Sequence, residues 1–235
     1  MDYAIIAAGQ GSRLGGEGAT LPKPLVTVGG QPMISRLVGL LDSMGAGRVC
    51  VITNPAMPAV AETVRSLEVS APVSLVEKST GGSMESFHAL APTLDPEHDF
   101  CLLTVDTVFD PVEFRRFIDA FEADSSSDGY MAVTTYMADE KPLYVAATAT
   151  DDITGFLDRP VAGVRYVSGG IYALRPAALG ILADCAASGV SRMRDFQRAL
   201  VASGLRLKAW PFTKIIDVDR PEDLTEAGRF VGGLT

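Results

Sequence analysis

A chain of 235 residues with 47% apolar content is long enough to bury one large α/β core or two small ones. Its net charge of −9 excludes the basic footprint that nucleic acid or an anionic membrane would attract, so a phosphate ligand must be held by local cations or metal. The cysteines, Cys50, Cys101 and Cys185, are widely spaced and odd in number, which reads as reduced thiols in a cytoplasmic protein. No apolar run reaches membrane-spanning length, and no basic segment leads into a signal-like apolar stretch.

In chain order, Tyr3 to Ala8 has the length and β-branched character of a buried parallel strand. Gly9 and Gly11 follow at once, then Ser12, Arg13 and Leu14, a second cluster at Gly15, Gly16 and Gly18, and finally Pro22, Lys23 and Pro24. Glycines directly after a buried strand let the backbone turn sharply and present bare N–H groups to an anion. Arg13 adds a fork for phosphate oxygens and Lys23 a compact charge. The spacing is not that of a P-loop, since no Lys follows Gly15 or Gly16. Nor is it a dinucleotide fingerprint, whose third glycine would fall on Leu14.

Gln31 to Gly45 carries apolar residues at helical spacing, with Pro32 near its start. Strands are expected at 48–53 and 73–77 with a helix at 58–67 between them, the alternation of a doubly wound, mostly parallel sheet flanked by helices. Thr80, Gly81 and Gly82 form a permissive turn, and Ser83 is placed to cap a helix in which His88 is a structural side chain. Phe100 to Val105 is the clearest central strand. Asp110-Pro111-Val112-Glu113 reads as a capping box, which accounts for Asp110. Asp106 has no such local task and stands at the strand's carboxyl end, where open α/β sheets bind ligands and a carboxylate suits Mg²⁺.

Asp124 to Gly129 looks like a disordered surface loop, and 130–137 and 143–149 like two extended runs. Asp158-Arg159-Pro160 follows, then a strand over Val164 to Arg175 in which Gly169 and Gly170 mark either a bulge or a close ligand approach. Helices are expected over Pro176 to Ala187 and Ser191 to Ser203, and a strand over Leu205 to Phe212. In the last segment Asp219 is a candidate cap for a helix beginning at Pro221. Asp217 sits at the Ile215-Ile216 run, where a charge among apolar neighbours needs a partner.

The combination G-x-G-S-R-L, a glycine-rich interval and P-K-P-L resembles the signature of the sugar-phosphate nucleotidyltransferases, with their nucleotide-diphospho-sugar transferase, or GT-A-like, fold. The resemblance implies one domain over 1–235, a nucleotide-binding half to about residue 110 and an acceptor-binding half beyond it. It implies a nucleotide site at Ala7, Ala8, Gly9, Gly11, Ser12, Arg13, Lys23, Thr80, Gly81, Gly82, Ser83 and Asp106. Arg13, Lys23 and Asp106 would be catalytic, and Asp106 would share Mg²⁺ with Asp217 first and Asp219 second. Arg159, in place of the family's Lys, Gly169, Gly170 and Lys214 would meet the acceptor, while Val105 stands where the family often has Gly.

The implied partners are a nucleoside triphosphate and a small phosphorylated acceptor, in a monomer or homodimer. The implied reaction is transfer of a nucleoside monophosphate to a sugar 1-phosphate or similar phosphomonoester with release of pyrophosphate. A molybdenum-cofactor guanylyltransferase or phosphocholine cytidylyltransferase would change only the acceptor. A GT-A glycosyltransferase would read Asp217-Val218-Asp219 as Asp-x-Asp, and a nucleotide sensor would bind without turnover.

Overall fold

The computed structural model describes residues 1–9, 21–137 and 141–234. Gly11, Ser12 and Arg13 of the expected phosphate loop lie outside them. The chain runs β1 (Asp2–Ala7), β2 (Thr27–Val28), β3 (Gln31–Pro32), α1 (Met33–Ser43), β4 (Arg48–Thr53), α2 (Pro58–Arg65), β5 (Val73–Glu77), α3 (Ser83–Leu90) and β6 (Phe100–Thr104). It continues through β7 (Thr107–Phe109), α4 (Pro111–Ala123), β8 (Gly129–Thr134), β9 (Tyr144–Ala147), β10 (Ile153–Leu157) and β11 (Tyr166–Leu174). The last elements are α5 (Ala177–Ala187), α6 (Met193–Ala202), β12 (Leu207–Phe212), β13 (Ile215–Asp217) and α7 (Pro221–Gly232).

Strands β5, β4, β1 and β6 lie side by side in parallel, with Ile5 of β1 level with Val51 and Leu103. β11 then enters antiparallel to β6 and to β8, and β12 joins β8 in parallel. The β9–β10 hairpin extends from the first residues of β11. The sheet is mixed because β11 reverses direction at its middle. Its strands are apolar on both faces because helices cover both. Ala4, Ile6 and Ala8 pack in one core with Met84, Phe87 and Phe196, whereas Tyr3, Ile5 and Ala7 pack in the other with Ile34, Leu41 and Phe114.

Several local expectations are corrected. Asp124 to Gly129 is a knit turn rather than a disordered loop: the Asp124 carboxylate accepts from the Ser126 and Ser127 hydroxyls at 2.6 Å and from Ser126 N–H at 2.7 Å. Asp110 caps α4 by accepting from Val112 N–H at 2.7 Å, but Glu113 does not close the box. Its carboxylate instead takes the Thr213 N–H at 3.1 Å, tying α4 to the end of β12. Gly82, not Ser83, is the residue before α3, and the Ser83 hydroxyl accepts from Met193 N–H at 3.3 Å. α1 begins only at Met33, because Gln31 and Pro32 are drawn into a small antiparallel ladder with β2.

Candidate active site

β6 carries the chain to Asp106, and the short β7 turns it back. β13 pairs antiparallel with β7, setting Asp217 opposite Thr107, and Val218 N–H donates to the Asp106 carbonyl at 3.0 Å. This ladder brings together carboxylates far apart in sequence: one oxygen each of Asp106, Asp217 and Asp219 lies within 4.8 Å of the others. Beneath it Val28, Met33, Val108, Ile216, Val218 and Ala227 form a separate small core, so the cluster stands on a packed platform. Asp219 does not cap α7. Asp223 reaches back instead, accepting from Arg220 N–H at 2.9 Å and Asp219 N–H at 3.2 Å. Asp217, expected among apolar neighbours, is exposed at the strand's end.

Three carboxylates so close repel one another unless a cation lies among them. Lys23 supplies one, its side chain only 8% exposed. Its ammonium donates to Asp106 and, at 2.5 Å, to Asp219 Oδ1. The lysine opens a 3-10 turn, Lys23–Leu25, with Pro22 before it and Pro24 within it, and the fixed proline φ angles hold its backbone. Burial alone would lower its pKa. The charges of Asp106 and Asp217, with the hydrogen bonds to Asp106 and Asp219, outweigh burial and raise it. Lys23, expected at a phosphate, thus also has the acids as partners. Clustered carboxylate oxygens already gathered around a positive charge are a donor set that fits a hard divalent cation such as Mg²⁺.

The acids stand between two cavities. The larger, about 420 Å³, is lined by Ala8, Gly9, Lys23, Asp106 and the run Thr80 to Ser83. These are the described residues expected at the nucleotide, with the exception of Ala7, which is 1% exposed and packed in the core. Gly82 is needed sterically, since a Cβ there would lie 2.4 Å from the Ser191 carbonyl oxygen. Asn54 and Ser86 also line this cavity and were missed. Asn54 Nδ2 reaches the Ala8 carbonyl at 3.4 Å, and Ser86 Oγ lies 2.6 Å from Thr80 Oγ1. Asn54 directly follows β4, the same strand-end position that singled out Asp106, so that signal was available.

The smaller cavity, about 70 Å³, has Asp217, Thr107, Ser168, Gly169 and Gly170 in its wall. Thr104 lines both cavities. Gly170 has φ +73°, and a Cβ on it would sit 2.9 Å from the hydroxyls of Thr104 and Thr107. The β11–β8 register shifts between Ser168 and Tyr172, so this glycine pair is a bulge, and it also lines the cavity. Arg159 and Lys214 are not brought into that wall. Arg159 is exposed on the bend after β10, next to Asp158, which pairs with Arg194 at 2.6 Å and Arg198 at 2.7 Å. Lys214 pairs with Glu226 and lies 4.3 Å from the Tyr136 ring centre.

Residues 3–168 match the MobA-like NTP transferase domain. The CMP-5'-(3-aminopropyl)phosphonate synthase of Streptomyces rubellomurinus is 32% identical over 122 residues, covering 51% of this chain and 19% of that protein. A mannose-1-phosphate guanyltransferase of Kluyveromyces lactis is 26% identical over 188 residues, covering 77% of this chain and 52% of that one. The chain thus spans a minor part of the first relative and about half of the second. The inositol-1-phosphate CTP transferase from T. maritima superposes with a TM-score of 0.82 at 20% identity, covering 99% of this chain and 95% of its own. A UDP-glucose pyrophosphorylase from Acinetobacter baumanii gives 0.79 at 17%, covering 98% and 93%. These two likenesses show a shared nucleotide-diphospho-sugar transferase fold. With a family match over most of its length and that fold beneath it, the chain belongs to the MobA-like NTP transferase domain family.

Proposed function

We propose that this protein is a Mg²⁺-dependent nucleotidyltransferase that moves a nucleoside monophosphate from a nucleoside triphosphate onto a sugar 1-phosphate or similar small phosphorylated acceptor, releasing pyrophosphate. The observation that carries this reading is the carboxylate cluster between two cavities, Asp106 facing one and Asp217 the other. The whole chain acts as one domain, its larger cavity taking the nucleotide and its smaller one the acceptor. Asp106, Asp217 and Asp219 would hold the metal, which when bound neutralises charge on the reacting phosphate.

An acceptor oxygen forms a new bond to the α-phosphorus as the bridging bond to the β-phosphorus breaks and pyrophosphate carries off the electron pair. Such transfers depend on positioning and charge neutralisation more than on covalent chemistry. Lys23 exchanges its carboxylate partners for the α-phosphate, and Arg13 takes the β- and γ-phosphates. A phosphate dianion is an adequate nucleophile, so no general base is assigned; His88 is exposed on α3 and serves no such role. The buried free thiols support a reducing, cytoplasmic setting. Among the described residues, no helix is long and apolar enough to cross a membrane.

A pyrophosphate-release screen across four nucleoside triphosphates and a panel of phosphorylated acceptors, with Mg²⁺, tests the reading. Turnover with at least one pair is expected, and Asp106→Asn should lower it about 10³-fold. Nucleotide binding without pyrophosphate release in any combination would make the protein a sensor instead.

A further inference from the structure

α6 buries a polar side chain among apolar ones. Met193, Phe196, Gln197 and Leu200 form its inward face at helical spacing, and Gln197 is 1% exposed. Met193, Phe196 and Leu200 pack into the core that also holds Tyr172 of β11. An apolar residue at 197 would fill that face without desolvating an amide, so the amide needs a partner to account for it. It has one: Gln197 Nε2 donates to Ser168 Oγ at 3.2 Å, whereas Oε1 has none among the described residues. Gln197 lies beyond residues 3–168, the stretch that matches the family.

Ser168 stands at the β11 bulge, in the wall of the smaller cavity with Asp217. Its hydroxyl has one proton and two lone pairs, and the Gln197 amide occupies a lone pair from the core side. The Tyr172 hydroxyl adjoins both: burial pushes its pKa up to about 12, and hydrogen bonds with Ser168 and Gln197 oppose that rise. The three groups therefore form an uncharged network at neutral pH. α6 is itself fixed in place. At its start Met84 N–H donates to the Ser191 carbonyl at 3.1 Å and Met193 N–H to Ser83 Oγ at 3.3 Å, which ties the helix to the turn lining the larger cavity. Further along, Arg198 Nε donates to the Phe156 carbonyl of β10 at 3.2 Å, and Asp158 pairs with Arg194 and Arg198.

We propose that Gln197 is a positioning residue for the acceptor: it holds the Ser168 hydroxyl in the wall beside Asp217, where that hydroxyl bonds an oxygen of the bound acceptor. The inference rests on the nucleotidyltransferase reading. A hydroxyl held in place beforehand loses little rotamer freedom on binding, so the gain falls on acceptor affinity and leaves nucleotide affinity alone.

The test is steady-state pyrophosphate release by the full chain with Mg²⁺, varying each nucleoside triphosphate and each acceptor separately. The acceptors are glucose 1-phosphate, mannose 1-phosphate, phosphocholine and propylphosphonate. Gln197→Met, which keeps the length of the side chain and removes its donor, should raise the acceptor KM roughly three- to tenfold and leave the nucleotide KM within about twofold. Ser168→Ala should do the same, and adding Gln197→Met to it should cost nothing further, because the amide acts through the hydroxyl. The inference is overturned, with the nucleotidyltransferase reading intact, by an unchanged acceptor KM, by an equal rise in both KM values, or by losses that add in full. Urea midpoints of Gln197→Met and Gln197→Leu should not fall, since both residues suit the apolar face; a fall in both makes residue 197 structural and overturns it as well. If no nucleotide and acceptor release pyrophosphate together, both readings fall.

Discussion

Lys23 balances the acid cluster, because its ammonium donates to Asp106 and Asp219 where three aspartates share one small space. Its raised pKa means that its stabilising contribution is fully present below the ordinary lysine value of about 10.4 and is lost only as pH climbs through the higher folded value. Lys23→Met should therefore abolish turnover and leave the carboxylates repelling one another. Mg²⁺ alone should then raise the melting temperature of the variant by more than that of the parent, as read by thermal denaturation with and without the ion. Asp124 is the opposite case. Hydrogen bonds from the Ser126 and Ser127 hydroxyls, the Ser126 N–H and the Tyr130 hydroxyl hold its carboxyl below the usual range. Its contribution is present above an ordinary aspartate pKa of about 3.9 and disappears as pH falls through the depressed value. Asp124→Asn should cost about 1 kcal/mol at neutral pH and flatten the acid limb of stability, measured by urea unfolding between pH 3 and 7.

At the scale of elements, the β7–β13 ladder and the β11 bulge position the acid cluster and the wall of the smaller cavity. Each does so by a contact no single segment contains. The ladder sets Asp217 opposite Thr107, and the bulge brings Gly169 and Gly170 against Thr104, Thr107 and Ile215. Gly170→Ala combines a positive φ with a collision against two hydroxyls, so it should destabilise the fold by about 1–3 kcal/mol. A lower urea midpoint with an unchanged slope would register that. Gly30, whose φ is +83° but whose Cβ would meet nothing within 4 Å, is the control that isolates the backbone part. Substituting it should cost less.

Across the whole molecule, Asp106 lies past the carboxyl end of the parallel strand β6, and Asp217 ends β13, whose antiparallel ladder with β7 carries it to the same place. Asp106 comes from the early half and Asp217 from the late half, so neither half holds the cluster by itself. If the two act as one unit, Asp106→Asn and Asp217→Asn should be strongly non-additive in kcat/KM. The double variant should be scarcely slower than the worse single one, whereas additive losses would assign them separate tasks.

What could be known from the chain alone was whatever a few neighbouring residues decide. Apolar runs of strand length marked β1, β4, β5 and β6, and the proline after Asp110 marked a helix start. Asp106 stood out because it followed a strand and had no nearby donor to satisfy. Partnership was decided only in three dimensions. That Asp106, Asp217 and Asp219 converge on Lys23, that Lys214 turns to Glu226, and that Glu113 serves Thr213 rather than its own helix all depend on which elements pack together. Short strands such as β7 and β10 were equally illegible, since β7 has only three residues and Thr154 and Gly155 interrupt the apolar run of β10. Local backbone preference acts over a turn or two, but a charge in the interior takes its partner from whichever segment the completed sheet sets beside it.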